Sequence, residues 1–493
     1  MSGFPAAYRC SVTFAAGEKA ASVASAAVVR LVATLDRWLE ASLAGRFYAA
    51  LARVANAYAE GSLFMRWLWP YAKLATAPWG EKVGVETALG ALLALACVAP
   101  TEILMAVSLG VLGLFMWDRA RKVRNGGETR LWALPGFGMV AAVGAVLLFT
   151  VGATISSVVP SKSLFNMLIW FFYFLVFFMA ADAAARGRGV QVVWPFMTGA
   201  AFSGLVSIYQ RLTGWRPPKN WVDVAFEGEL TRYVGTFTNP VFFAEMMGLA
   251  LPVAIALILI KKDWRDRLVL LGLAGLQMIG LLLSGSRGAW LGFAISFCIL
   301  AVLYDWRMLP LGLVAGGVGL ALAPDVLLKR LLSSFSLTDS SNSYRVFIWR
   351  GSIAMLKDYL VRGVGLGAEA YAKVYPEYMI IQTPAPHAHS TFIQYLIEVG
   401  LLGFLSMAYL FVVWLYDGFK AIFAEKARAG RWGKIGLLAA CIAAVGGHLL
   451  EGIIDYTWYS PKITVAFWAL VGIASGIACA IKHQEPAVEG GRS

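Results

Sequence analysis

About a dozen runs of roughly 20 apolar residues lie between Val83 and Ile481, each long enough to cross a hydrocarbon layer as a helix. In lipid a backbone can satisfy its own amides only as a helix or a closed barrel, so the pattern predicts an all-α, polytopic integral membrane protein. The runs fall near 83–99, 102–117, 131–152, 163–182, 190–212, 239–260, 267–284, 288–304, 308–323, 391–416, 434–450 and 461–481, which predicts about 12 transmembrane helices. Hydrophobic residues make up 59% of the chain and charged residues 14%, which excludes an ordinary soluble enzyme. The net charge of +13 therefore describes loops. Cations there orient the chain, touch lipid headgroups or hold an anionic substrate. Membrane lipid is an expected partner; nucleic acid is not.

Each second connection is basic: Arg119, Arg121, Lys122 and Arg124; Arg186 and Arg188; Lys261, Lys262, Arg265 and Arg267; Arg307; and Lys420, Lys426, Arg428, Arg431 and Lys434. The positive-inside rule makes these loops cytoplasmic, together with both termini. If the first two runs form one kinked unit, the amino terminus lies outside and the rest is unchanged. The other side then holds loop 213–238, the large loop 324–390 and the short turn Ser284-Gly285-Ser286-Arg287-Gly288. A loop as long as 324–390 is expected to fold into short helices over the membrane.

Residues 1–82 read as a cytoplasmic, interfacial region. Val28, Leu31, Val32, Leu35, Trp38 and Leu39 share a helical face, and Phe64, Trp67, Trp69, Tyr71 and Trp79 suit the headgroup layer. Met1 to Glu81 lacks the pattern of a cleaved secretory signal, so the mature chain is expected to begin near Met1. The expected organisation is then the amphipathic region 1–82, a first bundle 83–323 and the loop 324–390, followed by carboxy-terminal spans 391–482 and a cytoplasmic tail 483–493. Four of the five cysteines, Cys97, Cys298, Cys441 and Cys479, lie in apolar runs; Cys10 does not. No disulfide framework is indicated.

The chemistry gathers on the face opposite the basic loops. His387 and His389 stand just ahead of an apolar run, and imidazole can accept a proton from a substrate hydroxyl near neutral pH. His389 is the better candidate for a general base, because Ser390 or Thr391 would cap the helix that follows it. Two other readings stand beside it: a structural histidine, or a metal site with Glu369, Glu377, Glu398, Glu451 or Asp455, whose spacings match no recognised metal motif. His448, deep in an apolar run, reads as a satisfied interior group.

Arg287 sits in a turn at the hydrocarbon boundary, where it either binds an anion or snorkels to lipid phosphates. Arg232 reads as a phosphate ligand or a structural ion pair, and Arg345 as a ligand or an ordinary helix-surface arginine. Arg211, Arg216 and Arg350 share that face. Several guanidiniums together suit a phosphate or pyrophosphate. Gly363, Gly365 and Gly367 have the wrong spacing for a dinucleotide fingerprint and read as a tight turn. With no nucleotide-binding loop, an already activated donor is expected, and no cofactor.

These pieces, in order from Arg232 to Gly403, carry a family likeness. Arg232-x2-Gly235-Thr236-Phe237-x-Asn239-Pro240, the Ser284 to Gly288 turn, Arg345-x3-Trp349, Gly363-x-Gly365-x-Gly367 and His389-x8-Glu398-x-Gly400-x2-Gly403 resemble the bacterial O-antigen ligase and polymerase superfamily. Where that family often has His followed by Asn, this chain has His389-Ser390. The resemblance implies an inverting, metal-independent glycosyltransferase of the C class in the bacterial inner membrane, with its active site on the periplasmic face. The donor it implies is O-antigen on undecaprenyl pyrophosphate, and the acceptor a sugar hydroxyl of lipid A-core. It further implies His389 as base, with Arg287, Arg232 and Arg345 on the pyrophosphate.

Two relatives share these expectations, an O-antigen polymerase and a protein O-oligosaccharyltransferase. A ligase is preferred because no large extra domain follows the catalytic region. A lipid-linked oligosaccharide transporter is the alternative of another class, disfavoured because most charge sits in loops and span ends rather than at mid-membrane.

Overall fold

The computed structural model describes residues 84–126, 132–216, 231–321, 323–332, 340–429 and 435–482, with isolated positions between 26 and 34. The amphipathic segment and aromatic cluster expected within 1–82 lie outside the described residues, apart from those positions, as does the tail 483–493.

Each expected run overlaps a helix. In chain order these are α1 (Val85–Val98), α2 (Thr101–Arg124), α3 (Phe137–Ile155), α4 (Pro160–Ala185), α5 (Gly189–Leu212), α6 (Pro240–Ile260), α7 (Trp264–Leu283), α8 (Arg287–Leu303) and α9 (Met308–Ala321). After them come α10 (Asp325–Leu332), α11 (Ser340–Tyr359), α12 (Ala368–Val374), α13 (Thr391–Ala429), α14 (Ile435–Glu451) and α15 (Pro461–Lys482). Among the described residues, eight helices are long and apolar enough to cross a membrane, and α1, α8, α9 and α14 are shorter apolar helices. The chain is an all-helical, multi-pass membrane protein. Its first two runs are separate helices, broken at Ala99-Pro100, where proline disfavours a helical residue before it.

The helices approach closely through small residues, as expected where lipid offers no hydrophobic drive between them. A Cβ at Gly472 or Gly476 of α15 would strike the Phe177 or Ala181 carbonyl of α4, and one at Gly447 of α14 would strike Gly292 of α8. Between α4, α13 and α15 the core is aromatic: Trp170, Phe174, Phe411, Trp458, Phe467 and Trp468 meet in stacked, tilted and edge-to-face pairs.

One cation read as a topology signal has a different role. Arg119 is fully buried, with Nη2 2.6 Å from Glu86 Oε1 and Nε 2.7 Å from Asp182 Oδ2. It thereby ties α1, α2 and α4 together. Arg186 and Arg188 join the same two carboxylates, which shares out charges that would be costly to bury alone.

Segment 324–390 contains α10, α11, α12 and a 3-10 turn at Tyr375–Glu377. It has its own small core of Ile348, Met355, Val364, Tyr371, Tyr375 and Ala388, which also takes in Ile397 of α13. The join is made by backbone: Val364 N–H donates to Ile397 O at 2.8 Å and Leu401 N–H to Leu360 O at 2.7 Å. Helix α13 breaks at Gly400, whose φ is 72°, and a Cβ there would strike the Val361 carbonyl. Gly400→Ala is therefore expected to cost about 1–3 kcal/mol of backbone strain before the clash is counted. A lower thermal midpoint in detergent would register it; an unchanged midpoint would contradict it.

Candidate active site

The segment Ala385 to Ser390 is held from three sides. From α11, the Tyr344 hydroxyl donates to Pro384 O at 2.5 Å and Trp349 Nε1 donates to His389 O at 3.1 Å. From the turn after α14, Gly452 O and Asp455 O both accept the Thr391 amide, at 2.7 and 3.0 Å. The Thr391 hydroxyl meanwhile accepts from the Thr457 amide at 2.9 Å. From within α13, Gln394 Oε1 accepts the Ala388 amide at 2.7 Å. The expected cap is present, with Ser390 Oγ accepting from Ile393 N–H at 3.5 Å. So constrained, His389 adopts φ 48°, a left-handed conformation that histidine tolerates better than most residues but that still carries strain.

His389 Nδ1 lies 3.5 Å from Asp455 Oδ1. This is an electrostatic contact rather than an aligned hydrogen bond, since Nδ1 has no hydrogen-bond partner among the described residues. Asp455 Oδ2 accepts from Arg345 Nη2 at 3.0 Å, and Oδ1 accepts the Tyr456 amide at 2.9 Å. Burial alone would raise the Asp455 carboxyl; the charges of Arg345 and His389 and the Tyr456 amide outweigh it and hold the group below the usual carboxylate range. Asp455 is thus an anion aimed at the imidazole. It was weighed in the sequence only as a metal carboxylate, and no motif around it marks this role. Arg345 is correspondingly engaged with Asp455.

The two histidines differ. His387 Nδ1 accepts the His389 amide at 3.3 Å, and its ring lies 4.3 Å from that of His389 and 4.9 Å from that of Tyr459. Burial, then the charge of His389 and that of Arg345, push His387 down to about 3 despite Asp455. A ring so held is neutral and weakly basic, which favours His389 as the proton acceptor. Because folded His387 stays neutral while the unfolded chain takes up a proton below its ordinary value near 6.5, stability is lost as pH falls from 6.5 towards 3. His387→Asn is expected to lessen the fall in thermal midpoint between pH 7 and pH 4 relative to wild type; equal slopes would contradict it.

The arginines gather on a second structure. Gln210 of α5 holds the 234–235 turn from both sides, its Oε1 accepting from Gly235 N–H at 3.1 Å and its Nε2 donating to Gly235 O at 2.8 Å. Thr236 Oγ1 donates to Cys97 O at 2.5 Å. Asn239 caps α6 by accepting the Val241 amide at 2.8 Å. This anchored strip delivers Arg232, whose Nε donates to Ser284 O at 3.1 Å, beside the Tyr233 amide on Leu283 O at 3.0 Å. Arg287 is the first residue of α8, at the end of the same turn. Arg330 of α10, buried, reaches Gly285 O at 3.4 Å. Three arginines from separate segments thus share one turn, and Arg330 was not singled out in the sequence.

The turn and the histidines meet through α14. A Cβ at Gly288 or Gly292 would lie 3.5 or 3.2 Å from the Glu451 carboxylate, and Glu451 O accepts the Asp455 amide at 3.1 Å. Both carboxylate oxygens of Glu245 and Oε1 of Glu451 are buried without hydrogen-bond partners among the described residues. His448, expected to be satisfied, is buried with Nε2 unpartnered among the described residues. Arg211 and Arg350 are exposed on α5 and α11, and Arg216 is exposed just beyond α5. None of these three hydrogen-bonds to the His389 cluster among the described residues. A cavity of about 370 Å³, lined by Phe137, Trp414, Lys420 and Lys482, shares no residue with the cluster. No group of three or more His, Cys, Asp and Glu side chains is arranged to hold a metal ion among the described residues.

Chemically, a base with a half-buried anion behind it and a neighbouring group of guanidiniums suits attack by a hydroxyl on a phosphate-activated centre. Residues 270–408 match a family model described as O-antigen ligase, a stretch that includes Arg287, Arg345 and His389. No match is found among curated proteins.

Proposed function

We propose that this protein of the O-antigen ligase superfamily is an O-antigen ligase, joining a glycan carried on undecaprenyl pyrophosphate to a sugar hydroxyl of lipid A-core at the periplasmic face of the bacterial inner membrane. The observation that carries the reading is the juxtaposition of His389 and Asp455, 3.5 Å apart, with the Asp455 carboxylate anchored by Arg345.

His389 removes the proton of the acceptor hydroxyl with the ring nitrogen not facing Asp455. The freed oxygen attacks the anomeric carbon of the donor from the side opposite the pyrophosphate. As the new glycosidic bond forms, the bond from that carbon to the pyrophosphate oxygen breaks, and the linkage inverts. Asp455 stabilises the imidazolium without taking its proton. The electron pair leaves on the pyrophosphate, where Arg287 and Arg232 meet the growing charge and the amino end of α8 adds its partial positive charge. Undecaprenyl pyrophosphate is a good leaving group, so no general acid is required. Arg345 supports His389 through Asp455 rather than touching the donor; Arg211, Arg216, His387 and Arg350 are candidates for the longer glycan.

The acceptor is tested by reconstituting the protein with labelled lipid-linked O-antigen and offering lipid A-core, a second lipid-linked glycan or a Ser/Thr peptide in parallel. Transfer to lipid A-core is expected. Transfer only to the lipid-linked glycan would identify a polymerase, and transfer only to the peptide a protein glycosyltransferase; either would overturn the ligase reading.

A further inference from the structure

We infer that Glu398 is a positioning residue that holds the His389 turn and the Asp455 turn in register, an assignment that rests on the proposed role of His389. Glu398 Oε1 accepts from Gln394 Nε2 at 2.7 Å and from the Tyr456 hydroxyl at 3.3 Å. Each donor leads to one half of the histidine and aspartate pair. Gln394 uses its other end to accept the Ala388 amide, directly before His389. Tyr456 uses its own amide to donate to Asp455 Oδ1.

A third segment joins at the backbone of the same residue. Gly365 N–H donates to the Glu398 carbonyl at 3.1 Å, and Gly363, Gly365 and Gly367 all have positive φ. The glycine turn thus wraps around this one residue. Glu398 is 2% exposed and Gln394 fully buried, so water does not substitute for the missing bonds when one is removed.

The need for such a tie follows from the break at Gly400. The first turns of α13, which begin just after His389, are cut off from the rest of the helix. The remainder of α13 therefore cannot fix the direction of the imidazole. A carboxylate suits the junction because it accepts several hydrogen bonds and donates none. Glutamine keeps one carbonyl oxygen for Gln394 and Tyr456; alanine leaves both donors unpaired.

The test uses the full chain in nanodiscs with Glu398→Ala, Glu398→Gln, Gln394→Ala and, as reference, His389→Asn. Glu398→Ala and Gln394→Ala are expected to lower kcat roughly 30-fold, as a misplaced reacting group does, with the donor KM within about twofold. Glu398→Gln is expected to recover most of the loss. Hydrogen exchange across 385–390 should quicken in Glu398→Ala and Gln394→Ala but not in Glu398→Gln. Wild-type kcat and exchange in Gln394→Ala, with His389→Asn inactive, would overturn the inference, and this holds even if Glu398→Ala fails to fold. Wild-type activity in His389→Asn would instead overturn the role of His389, leaving the exchange result to decide for or against the network.

Discussion

Replacing His389 is expected to lower glycosyl transfer about 10³-fold, within the range that a positioned general base contributes, while affinity for the lipid-linked donor stays unchanged. The expectation comes from the division of groups in the structure. His389 faces Asp455, whose other oxygen is held by Arg345, whereas Arg287 and Arg232, proposed to bind the donor, gather at the Ser284 to Arg287 turn. Asparagine is the cleaner replacement. It tolerates the left-handed backbone at φ 48° better than alanine, so the loss reports the imidazole and not a rearranged turn. Single-turnover transfer, with donor binding measured separately, checks both halves. His387 does not take over, because its Nδ1 is already occupied by the His389 amide.

Replacing Arg287 with alanine is expected to lower turnover about 10²- to 10³-fold, the usual cost of removing a charge aimed at a developing oxyanion. Here the donor affinity falls as well, because the pyrophosphate is charged before the bond breaks. Arg287→Lys is expected to restore little. Lysine keeps the charge but lacks the planar, several-donor geometry that matches phosphate oxygens. Undecaprenyl pyrophosphate binding to the three proteins, read by competition with labelled donor, is the measurement. Equal affinity in wild type and Arg287→Ala would contradict the assignment.

The helical bundle was legible in the sequence because lipid leaves a spanning backbone few options, and apolar runs mark the helices directly. What those runs conceal is where a helix is interrupted. Gly400 lies inside an unbroken apolar run, and only the packing of Gly363 and Val361 against it shows why it leaves the helical conformation. The His389 turn was legible as a candidate because its turn, cap and glycines fall in one continuous stretch. Asp455 was not. Its role depends on the pairing of Thr391 with the 452–457 turn, a contact between distant segments that no local pattern announces. Arg119 misled in the opposite direction: its place among basic residues marked a loop, while Glu86 and Asp182, which bury it, come from two other helices. Arg330 went unremarked because an arginine in a short amphipathic helix is ordinary until its guanidinium is found on the Gly285 carbonyl.

The most direct test of the proposed chemistry reconstitutes wild type and His389→Asn with lipid-linked O-antigen and lipid A-core and follows capped product. Capping by the wild type, its near absence in the variant and equal donor binding in both are the expected results. Capping at the same rate by the variant would contradict the role of His389 as base, and no capping by either would contradict the ligase assignment itself.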